Sequence, residues 1–268
     1  MKNMRLTVYG ANTVREAILS GNIKNGGNVS VSEKKWKSGT IDKNLVGLLK
    51  EKNINIIVKN DAAFINEYGK EAFIKGIAVN VEYMEKDYED LFDKAGGDNY
   101  MPLYLILDEI TDPQNLGSMI RTASGAGVSG IIMPKSNSVF ITPSVAYVSQ
   151  GALFYVDSVR VANISRTIDD LKKRGIWVVG LSGEADETIY DMDFNVPLAI
   201  VVGSEGRGLR RLTAANCEKV LKIPMEAGVN SLNASISFAV AAYEILRQRK
   251  YGGVKNKSKK NSLTLSIQ

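Results

Sequence analysis

The segment IPMEAGVNSLNASISFAVAAYEIL, residues 223–246, joins a strand end, a polar loop and a long helix. An apolar strand stops at Pro224, and the loop after it carries Ser231 and Asn233. The helix is rich in Ala and Ser, so another backbone can approach it closely. Ligands of α/β proteins bind where strands end and helices begin, which makes this loop a candidate site. The alternative is an ordinary buried helix capped by Ser or Asn.

The length and composition indicate a globular protein of one large or two ordinary domains. The chain has 268 residues, of which 44% are hydrophobic and 24% are charged, as in soluble proteins. No run approaches the roughly 18 apolar residues of a membrane helix, and the start lacks the apolar core of a signal peptide. We therefore expect a cytoplasmic protein with no membrane association.

Histidine and cysteine usage limits the chemistry. The sequence contains no histidine, which removes His-based metal sites, Ser-His-Asp triads and histidine general bases. We accordingly expect no metal cofactor. The single cysteine, Cys217, cannot form an internal disulfide and fits a reducing compartment.

The positive charge is concentrated at the C-terminus. The net charge is +5, and five of the 34 basic residues are lysines within residues 250–268, where no acidic residue occurs. The remainder of the chain holds 29 basic and 29 acidic side chains. Residues 251–268 are predicted to be a disordered, Lys-rich tail. Such a tail can attract nucleic acid in a salt-sensitive way, or it can be only a solvated chain end.

Hydrophobic periodicity predicts a small α/β domain at residues 1–93. A short strand, a turn at Gly10 and a helix capped near Asn12 or Thr13 come first. Further strands are predicted at 27–36, 53–60 and 76–84, the second of them buried, and further helices at 45–52 and 61–69. The acidic end of this region, 85–93, leads into a linker at 94–102, because both segments break the two periodicities.

From residue 103 to residue 250, predicted strands alternate with predicted helices. The strand LYLILDEI, 103–110, is a continuous apolar strand, suited to the middle of a parallel sheet. The other strands are predicted at 130–134, 152–161, 175–181, 197–203 and 220–223. Helices are predicted at 115–125, 143–151, 164–174, 210–216 and 234–249. This alternation indicates an α/β fold with a parallel sheet flanked by helices.

A second candidate stretch is LDEITDPQNLGSMIRTASGAGVSGIIMP, residues 107–134. A predicted strand ends in an Asp-Pro turn, and Asn115 begins a helix that carries Arg121. Near the carboxyl end of a strand, an arginine can grip a phosphate. The alternative interpretation makes Asn115 an ordinary N-cap and leaves Arg121 on a solvated face.

A third candidate stretch is VVGSEGRGLRRL, residues 201–212, which ends a strand in a G-x-x-G-x-G arrangement. It is neither the dinucleotide fingerprint nor a phosphate-binding loop. Glycines leave backbone groups accessible to a ligand, and Glu205 lies among them. The arginines that follow can contact RNA phosphates: Arg207, Arg210 and Arg211. The alternative is a glycine-rich turn with a solvated charged face.

The three stretches together resemble, in order and spacing, the motifs of the SpoU (TrmH-type) RNA ribose 2′-O-methyltransferases of the SPOUT superfamily. The matching strings are NLGSMIRT from Asn115, GSEG from Gly203, and IP…SLN from Ile223 to Asn233. The resemblance extends from about residue 103 to residue 249. TDPQNLG, IWVVGLSGEAD and GRGLRRLT are similar to the bacterial branch that methylates a guanosine in 23S rRNA. VYGANTVREAI near the start resembles that branch's small RNA-binding domain.

The resemblance implies a fold, a cofactor and an assembly. The catalytic domain of the family is a parallel sheet whose C-terminal segment forms a deep trefoil knot, and relatives are homodimers. We expect the small-residue helix, 234–249, to contribute to the dimer interface. S-adenosylmethionine would be bound in the knot by the residues that match the family's cofactor loops: Leu181, Ser182, Gly183, Gly203, Ile223 and Leu232.

The resemblance also implies which residues carry the reaction. Arg121 would contact the phosphate of the target nucleotide and help to activate its 2′-hydroxyl. It would act as an orienting and charge-stabilising group, because a free arginine is too basic to accept a proton. A nearby RNA phosphate is one candidate for the proton acceptor. The residues that would fix Arg121, the loop and the hydroxyl are Asn115, Glu205, Ser231 and Asn233.

The favoured function is S-adenosylmethionine-dependent methylation of a guanosine ribose in 23S rRNA. A tRNA target, or an rRNA adenosine whose methylation confers resistance, would require the same chemistry. A protein of a different class, which binds RNA during ribosome assembly without catalysis, is the further alternative. The intact set of candidate catalytic residues favours an enzyme.

Overall fold

The structure of the protein, a computed structural model, describes residues 2–93, 100–226 and 231–252. Two sheets are formed by successive parts of the chain. Most of the predicted linker, 94–102, and most of the predicted tail, 251–268, lie outside the described residues. Among the helices of the described residues, none combines the length and the hydropathy that crossing a membrane requires.

The first sheet is mixed and contains four strands: β1 (Lys2–Tyr9), β2 (Asn28–Ser32), β3 (Asn55–Lys59) and β4 (Ile77–Glu85). Their order is β1-β4-β2-β3, with β2 and β3 parallel and the other neighbours antiparallel. Five helices belong to this part of the chain: α1 (Ala11–Leu19), α2 (Glu33–Lys37), α3 (Lys43–Glu51), α4 (Asp61–Tyr68) and α5 (Lys70–Lys75). Leu45 and Leu49 of α3 are fully buried in the core that covers the sheet.

The prediction of a buried strand at 53–60 is wrong in its burial. The strand forms as β3, but Ile57 and Val58 are 38% and 45% exposed. The reason is the position of β3 at the edge of the sheet, where it pairs only with β2. An apolar run predicts a strand, but its burial depends on which strands and helices lie beside it.

Two element boundaries in this part also differ from the prediction. α1 begins directly after Gly10, whose φ of 85° suits glycine, and no side chain caps it, so the predicted cap at Asn12 or Thr13 is wrong. The predicted strand at 27–36 ends at Ser32, whose hydroxyl caps α2. A serine that accepts a backbone N–H favours the start of a helix over continuation of a strand.

The second sheet is parallel throughout, which confirms the predicted α/β class. Its strands are β5 (Leu103–Asp108), β6 (Gly130–Pro134), β7 (Ser158–Val161), β8 (Trp177–Leu181), β9 (Leu198–Gly203) and β10 (Lys219–Leu221). Their order is β10-β8-β9-β5-β6-β7. The predicted strand at 152–161 forms pairs only in β7, because a 3₁₀ turn at Ala152–Phe154 occupies its first part.

Helices cover both faces of the second sheet: α6 (Pro113–Ala126), α7 (Pro143–Val148), α8 (Ile164–Lys173), α9 (Arg211–Asn216) and α10 (Ala234–Leu246), the last continued by a π-helical turn at Arg247–Tyr251. Leu103, Leu105 and Leu107 of β5 belong to the core that includes α6 and α10. Tyr104 and Ile106, which alternate with them, belong to the core that includes α8. The fully buried β5 therefore forms the middle of the sheet.

α6 begins at Pro113, two residues before the predicted start at Asn115. Asp112 caps the helix, since its Oδ1 accepts the backbone N–H of Gln114 at 3.1 Å. Proline suits the first helical position because its missing N–H needs no partner there. Asn115 is consequently inside the first turn, and the interpretation of Asn115 as an N-cap is wrong.

The first sheet packs against α7 of the second part of the chain. Tyr9 stacks on Tyr147 with a ring-centroid distance of 5.1 Å. α7 in turn packs closely on α6, because a Cβ added to Gly117 would lie only 2.6 Å from the Cβ of Val148. The helix that carries Asn115 is thus supported by the helix on which the first sheet rests.

The acidic segment 85–93, which was predicted to lead out of the first domain, packs on the second sheet. The Lys86 backbone N–H donates to the carbonyl of Ser158 at 3.0 Å. Leu91 is 1% exposed, and a Cβ added to Gly130 would meet its side chain at 2.6 Å. The absence of a side chain at the start of β6 therefore makes room for Leu91.

Leu91→Ala should lower the free energy of unfolding by roughly 3 kcal/mol, because it leaves a cavity against β6. Leu212→Ala is the matched control, since Leu212 is 71% exposed and its loss should change stability by less than about 0.5 kcal/mol. Urea denaturation of the two variants and the wild type measures both values. Equal stabilities of the two variants would contradict the packing of the acidic segment.

Candidate active site at the carboxyl edge of the parallel sheet

A cavity of about 470 Å³ lies beyond the carboxyl ends of β8, β9 and β10. This volume is within the range of about 300–1,000 Å³ that is usual for small-molecule sites. The structure brings to its wall all six residues that were predicted to contact a cofactor: Leu181, Ser182, Gly183, Gly203, Ile223 and Leu232.

The parallel register explains why these distant residues meet. Leu181 and Gly203 are the last residues of β8 and β9, and Ile223 follows β10 by two residues. The backbone N–H of Ser182 donates to the carbonyl of Leu221 at 3.0 Å, which keeps two of the strand ends together. Carboxyl ends of parallel strands reach the same edge of a sheet, where α/β proteins bind their ligands.

The loop after β9 folds back onto the strand that precedes it. The backbone N–H of Gly208 donates to the carbonyl of Ser204 at 2.9 Å, and Gly206 and Gly208 have φ values of 81° and 64°. A Cβ added to Gly203 would collide with the backbone of Gly208 and Leu209. Glycine at 203 is therefore required for the loop to form one wall of the cavity.

The side chain of Asn233 connects two other predicted catalytic residues, Asn115 and Glu205. Its Oδ1 caps α10 by accepting the backbone N–H groups of Ser235 and Ile236. Its Nδ2 donates to Asn115 Oδ1 at 2.9 Å and also to Glu205 Oε1. Asn115, Glu205 and Asn233 therefore form one hydrogen-bonded cluster at the rim of the cavity. Asn115 is its buried member, with 5% of its surface exposed.

The other two predicted catalytic residues lie outside this cluster. Ser231 is exposed and lines the same cavity. Arg121 lies on α6, six residues beyond Asn115 and so about 9 Å along the helix axis. It is exposed, and within the described residues it neither lines the cavity nor makes a hydrogen bond or ion pair. Its guanidinium group is therefore available to a ligand from outside the chain.

The three arginines predicted to bind RNA have different surroundings. Arg207 lines the cavity next to β9. Arg210 and Arg211 line a second cavity of about 350 Å³, between the ends of β6 and β7 and the start of α9. Arg210 is ion-paired with Asp108 and Glu109, whereas within the described residues Arg207 and Arg211 make no ion pair. Only two of the three thus offer an uncompensated charge.

The sequence reasoning missed Asp108, which is fully buried at the end of β5. A carboxylate that directly follows five apolar residues of a predicted buried strand is the signal that could have singled it out. It also missed Ser237, Glu184 and Met225, which line the first cavity. No local pattern distinguishes these three from ordinary helix and loop residues.

Cys217 does not have the surroundings of a nucleophile. Its Sγ donates to the carbonyl of Thr213 at 3.2 Å, and burial raises the pKa of the thiol to about 12. At neutral pH the reactive thiolate is therefore scarce. Within the described residues, no three His, Cys, Asp or Glu side chains are grouped so that they could hold a metal ion.

The fold and the site together define an α/β protein with a cavity of ligand size at the carboxyl edge of a parallel sheet and a polar cluster beside it. The profile of the SpoU rRNA Methylase family matches residues 102–243. This match covers more than half of the chain, and the chain belongs to this family. The family predicted from the three motifs is confirmed.

Members of this family align with the chain over different shares of their own length. A TrmH-family tRNA/rRNA methyltransferase of Staphylococcus saprophyticus is 36% identical over 252 residues, which are 93% of this chain and 98% of that protein. A 23S rRNA (guanosine-2′-O-)-methyltransferase, RlmB, of Pseudomonas aeruginosa is 44% identical over 165 residues. That alignment covers 62% of this chain and 65% of the relative.

Solved structures show that the fold is shared. The SpoU methyltransferase AviRb of Streptomyces viridochromogenes matches with a TM-score of 0.74 and 24% identity, over 92% of this chain and 91% of that chain. A second structure of AviRb, in complex with AdoMet, matches with a TM-score of 0.73 and 24% identity, over 91% of this chain and 90% of that chain.

If the cavity beside β9 binds the cofactor, Gly203→Ala should abolish measurable S-adenosylmethionine binding, because the added methyl group displaces the loop backbone. Isothermal titration calorimetry without RNA measures this affinity. Gly47→Ala in α3 is the control, since nothing lies within 4 Å of its added Cβ. An affinity of the Gly203 variant equal to that of the control would place the cofactor elsewhere.

Proposed function

We propose that this protein transfers the methyl group of S-adenosylmethionine to the ribose 2′-hydroxyl of a guanosine in 23S rRNA. Its family makes it an RNA methyltransferase. The observation that carries the proposal is the cluster of Asn233, Asn115 and Glu205 at the rim of a cavity of cofactor size. Three segments that are distant in sequence thus converge at one place: the first turn of α6, the loop after β9 and the start of α10.

The lining of the cavity fits S-adenosylmethionine. Leu181, Ile223 and Leu232 offer apolar contact to the adenine ring and the sugar, and Gly203 leaves backbone groups accessible. Glu184 and Glu205, also in the lining, carry negative charge, which attracts the positive sulfonium and amino groups of the cofactor. The bound cofactor supplies an electrophilic methyl group, and the task of the protein is to orient the acceptor.

Methyl transfer requires the 2′-hydroxyl to approach in line with the methyl carbon and to lose its proton. Ser231 lines the cavity beside the cluster around Asn233. Ser231 and Asn233 can therefore position the hydroxyl at the rim of the cavity. Arg121 binds the phosphate of the target nucleotide and stabilises charge, because its free guanidinium forms bidentate bonds with phosphate oxygens. Arginine is too basic to accept the proton, and a nearby RNA phosphate is one candidate for its acceptor.

The identity of the target nucleotide is inferred from the names of the relatives. The name of the Pseudomonas protein specifies a guanosine of 23S rRNA, whereas the name of the Staphylococcus protein leaves tRNA and rRNA open. A tRNA target is therefore the second candidate, and the same site would serve it. The exposed Arg207 and Arg211 would contact the backbone of either RNA. A 23S rRNA substrate would place the protein in the cytoplasm, where ribosomes are assembled.

Three further features belong to the proposal. The C-terminal segment is threaded as a trefoil knot, a proposal supported by the fact that Ile223 and Leu232 line the same cavity as the loop that follows β9. Residues 1–93 form a domain that binds RNA, a proposal supported by three lysines of α2: Lys34, Lys35 and Lys37. The protein is a homodimer, supported by the exposed Ile236 and Tyr243 of α10, which are 51% and 53% exposed and would be covered by the partner.

Arg121→Ala should lower the rate of methyl transfer to rRNA by at least about a hundredfold, since oriented charge of this kind commonly contributes that much. The affinity for S-adenosylmethionine should stay at the wild-type value, because Arg121 lies outside the cavity. Transfer of a radiolabelled methyl group to unmodified 23S rRNA measures the rate, and calorimetry measures the affinity. Arg121→Lys, which keeps the charge without the fork, should be intermediate. Wild-type turnover in the alanine variant would refute the role of Arg121.

The substrate is tested by mapping 2′-O-methyl groups on rRNA and tRNA from a strain that lacks this protein. We expect one guanosine of 23S rRNA to lose its methyl group and to regain it when the wild-type gene is restored. Restoration with Arg121→Ala should fail. Loss of a tRNA methyl group instead would favour the second candidate, and a protein without measurable affinity for S-adenosylmethionine would favour an RNA-binding assembly factor.

A further inference from the structure

We infer that Asp108 and Arg210 form a positioning pair that holds the loop after β9 in the shape that binds the cofactor. The inference rests on the proposed use of S-adenosylmethionine, but not on the identity of the RNA. It assigns Arg210 to the cofactor side of the reaction, although its sequence context, between Arg207 and Arg211, predicts a contact with RNA.

Asp108 is a buried carboxylate with a single dominant partner. It is 0% exposed, and Arg210 satisfies both of its oxygens. The backbone N–H of Arg210 donates to Oδ2 at 3.0 Å, while Nε donates to Oδ1 at 2.7 Å. A second guanidinium nitrogen, NH2, lies 2.6 Å from Oδ1. A buried charge needs this degree of satisfaction, because water cannot replace a lost partner.

The position of Asp108 makes the pair relevant to the cofactor cavity. In the register of β5 and β9, Asp108 is the direct neighbour of Gly203. The loop that starts at Gly203 therefore leaves the sheet beside Asp108 and returns, at Arg210, to the same carboxylate. Both ends of the loop are thereby held at one point of the sheet edge.

The residues between these two ends carry the functional groups. Glu205 reaches the Asn233 cluster, and Leu209 lines the cavity. Besides the hydrogen bond between Gly208 and Ser204, two side-chain connections hold this loop: the pairing of Arg210 with the buried Asp108 at its base and the amide of Asn233 at its tip. Without the ion pair, the base would lose its side-chain attachment to the sheet edge, and the cavity wall would lose its shape.

A second carboxylate strengthens the interpretation that Arg210 is not an RNA contact. Arg210 NH1 lies 3.4 Å from Glu109 Oε1, and Glu109 has a φ of 61°, which is unusual for a residue other than glycine. Two carboxylates thus surround one guanidinium group. Their negative charge opposes the approach of an RNA phosphate.

The test compares Asp108→Asn, Arg210→Gln and the double variant by calorimetry with S-adenosylmethionine in the absence of RNA. We expect each single change to weaken binding by at least about tenfold, as for residues coupled in one ion pair. The double variant should be no weaker than the worse single variant, because the pair acts as a unit. Arg210→Lys should weaken binding less than Arg210→Gln in the wild-type background, and it should make no further difference when Asp108 is Asn.

Arg174→Gln is the matched control. Arg174 is also paired with two carboxylates, Asp170 and Glu89. It lies at the C-terminal end of α8 and does not line the cofactor cavity. Its loss should leave the affinity for S-adenosylmethionine unchanged. Thermal unfolding of every variant identifies those that are folded at the temperature of the titration, so that a general loss of structure is recognised.

A folded Arg210→Gln variant with wild-type affinity for S-adenosylmethionine would overturn the inference. The same would follow if it bound 23S rRNA more weakly and showed a smaller salt dependence, since that is the signature of a lost phosphate contact. If the wild type binds S-adenosylmethionine but does not methylate 23S rRNA, the proposed substrate is wrong while the positioning pair stands.

Discussion

The candidate site depends on one side-chain amide, that of Asn233. It joins residues that are 118 and 28 positions away in the chain, and it caps the helix that it precedes. An amide is suited to this position because it is both an acceptor and a donor. An aspartate could cap α10, but it could not donate to Asn115, and it would repel Glu205.

The loop after β9 would offer its backbone groups to the proposed cofactor. Gly203 allows the loop to return against its own strand, and Asp108 and Asn233 hold its base and its tip. A site that binds a ligand mainly through the backbone gains affinity if the loop is ordered before binding, because less conformational entropy is then lost. The ion pair of Asp108, at the end of β5, and the amide of Asn233, at the start of α10, hold the loop in this ordered shape.

The first sheet is connected to the site through the helices α7 and α6. Tyr147 of α7 stacks on the first sheet, and α7 lies directly on Gly117 of α6. Arg160 of β7 adds a buried ion pair with Glu85 at the end of β4, with a distance of 3.0 Å. An RNA held by the first domain would thus have a defined position relative to the helix that carries Arg121.

The sequence by itself determined the elements and the main members of the site. Continuous apolar runs identified the central strands, and glycines and polar residues at their ends identified the loops around Asn115, Gly203 and Asn233, which the family motifs then connected. These signals are local, since strand periodicity and turn chemistry act within a few residues. The roles of the individual site residues stay predictions that the proposed variants test.

Only the tertiary structure decided which side chains pair and which strands are covered. Asp108 and Arg210 are 102 positions apart, so no local pattern separates Arg210 from the two arginines that remain unpaired within the described residues. The exposure of β3 and the packing of Leu91 on Gly130 likewise follow from strand order and from the space that a glycine leaves. The physical reason is common to all three: burial and ion pairing depend on neighbours that the chain brings together only when it folds.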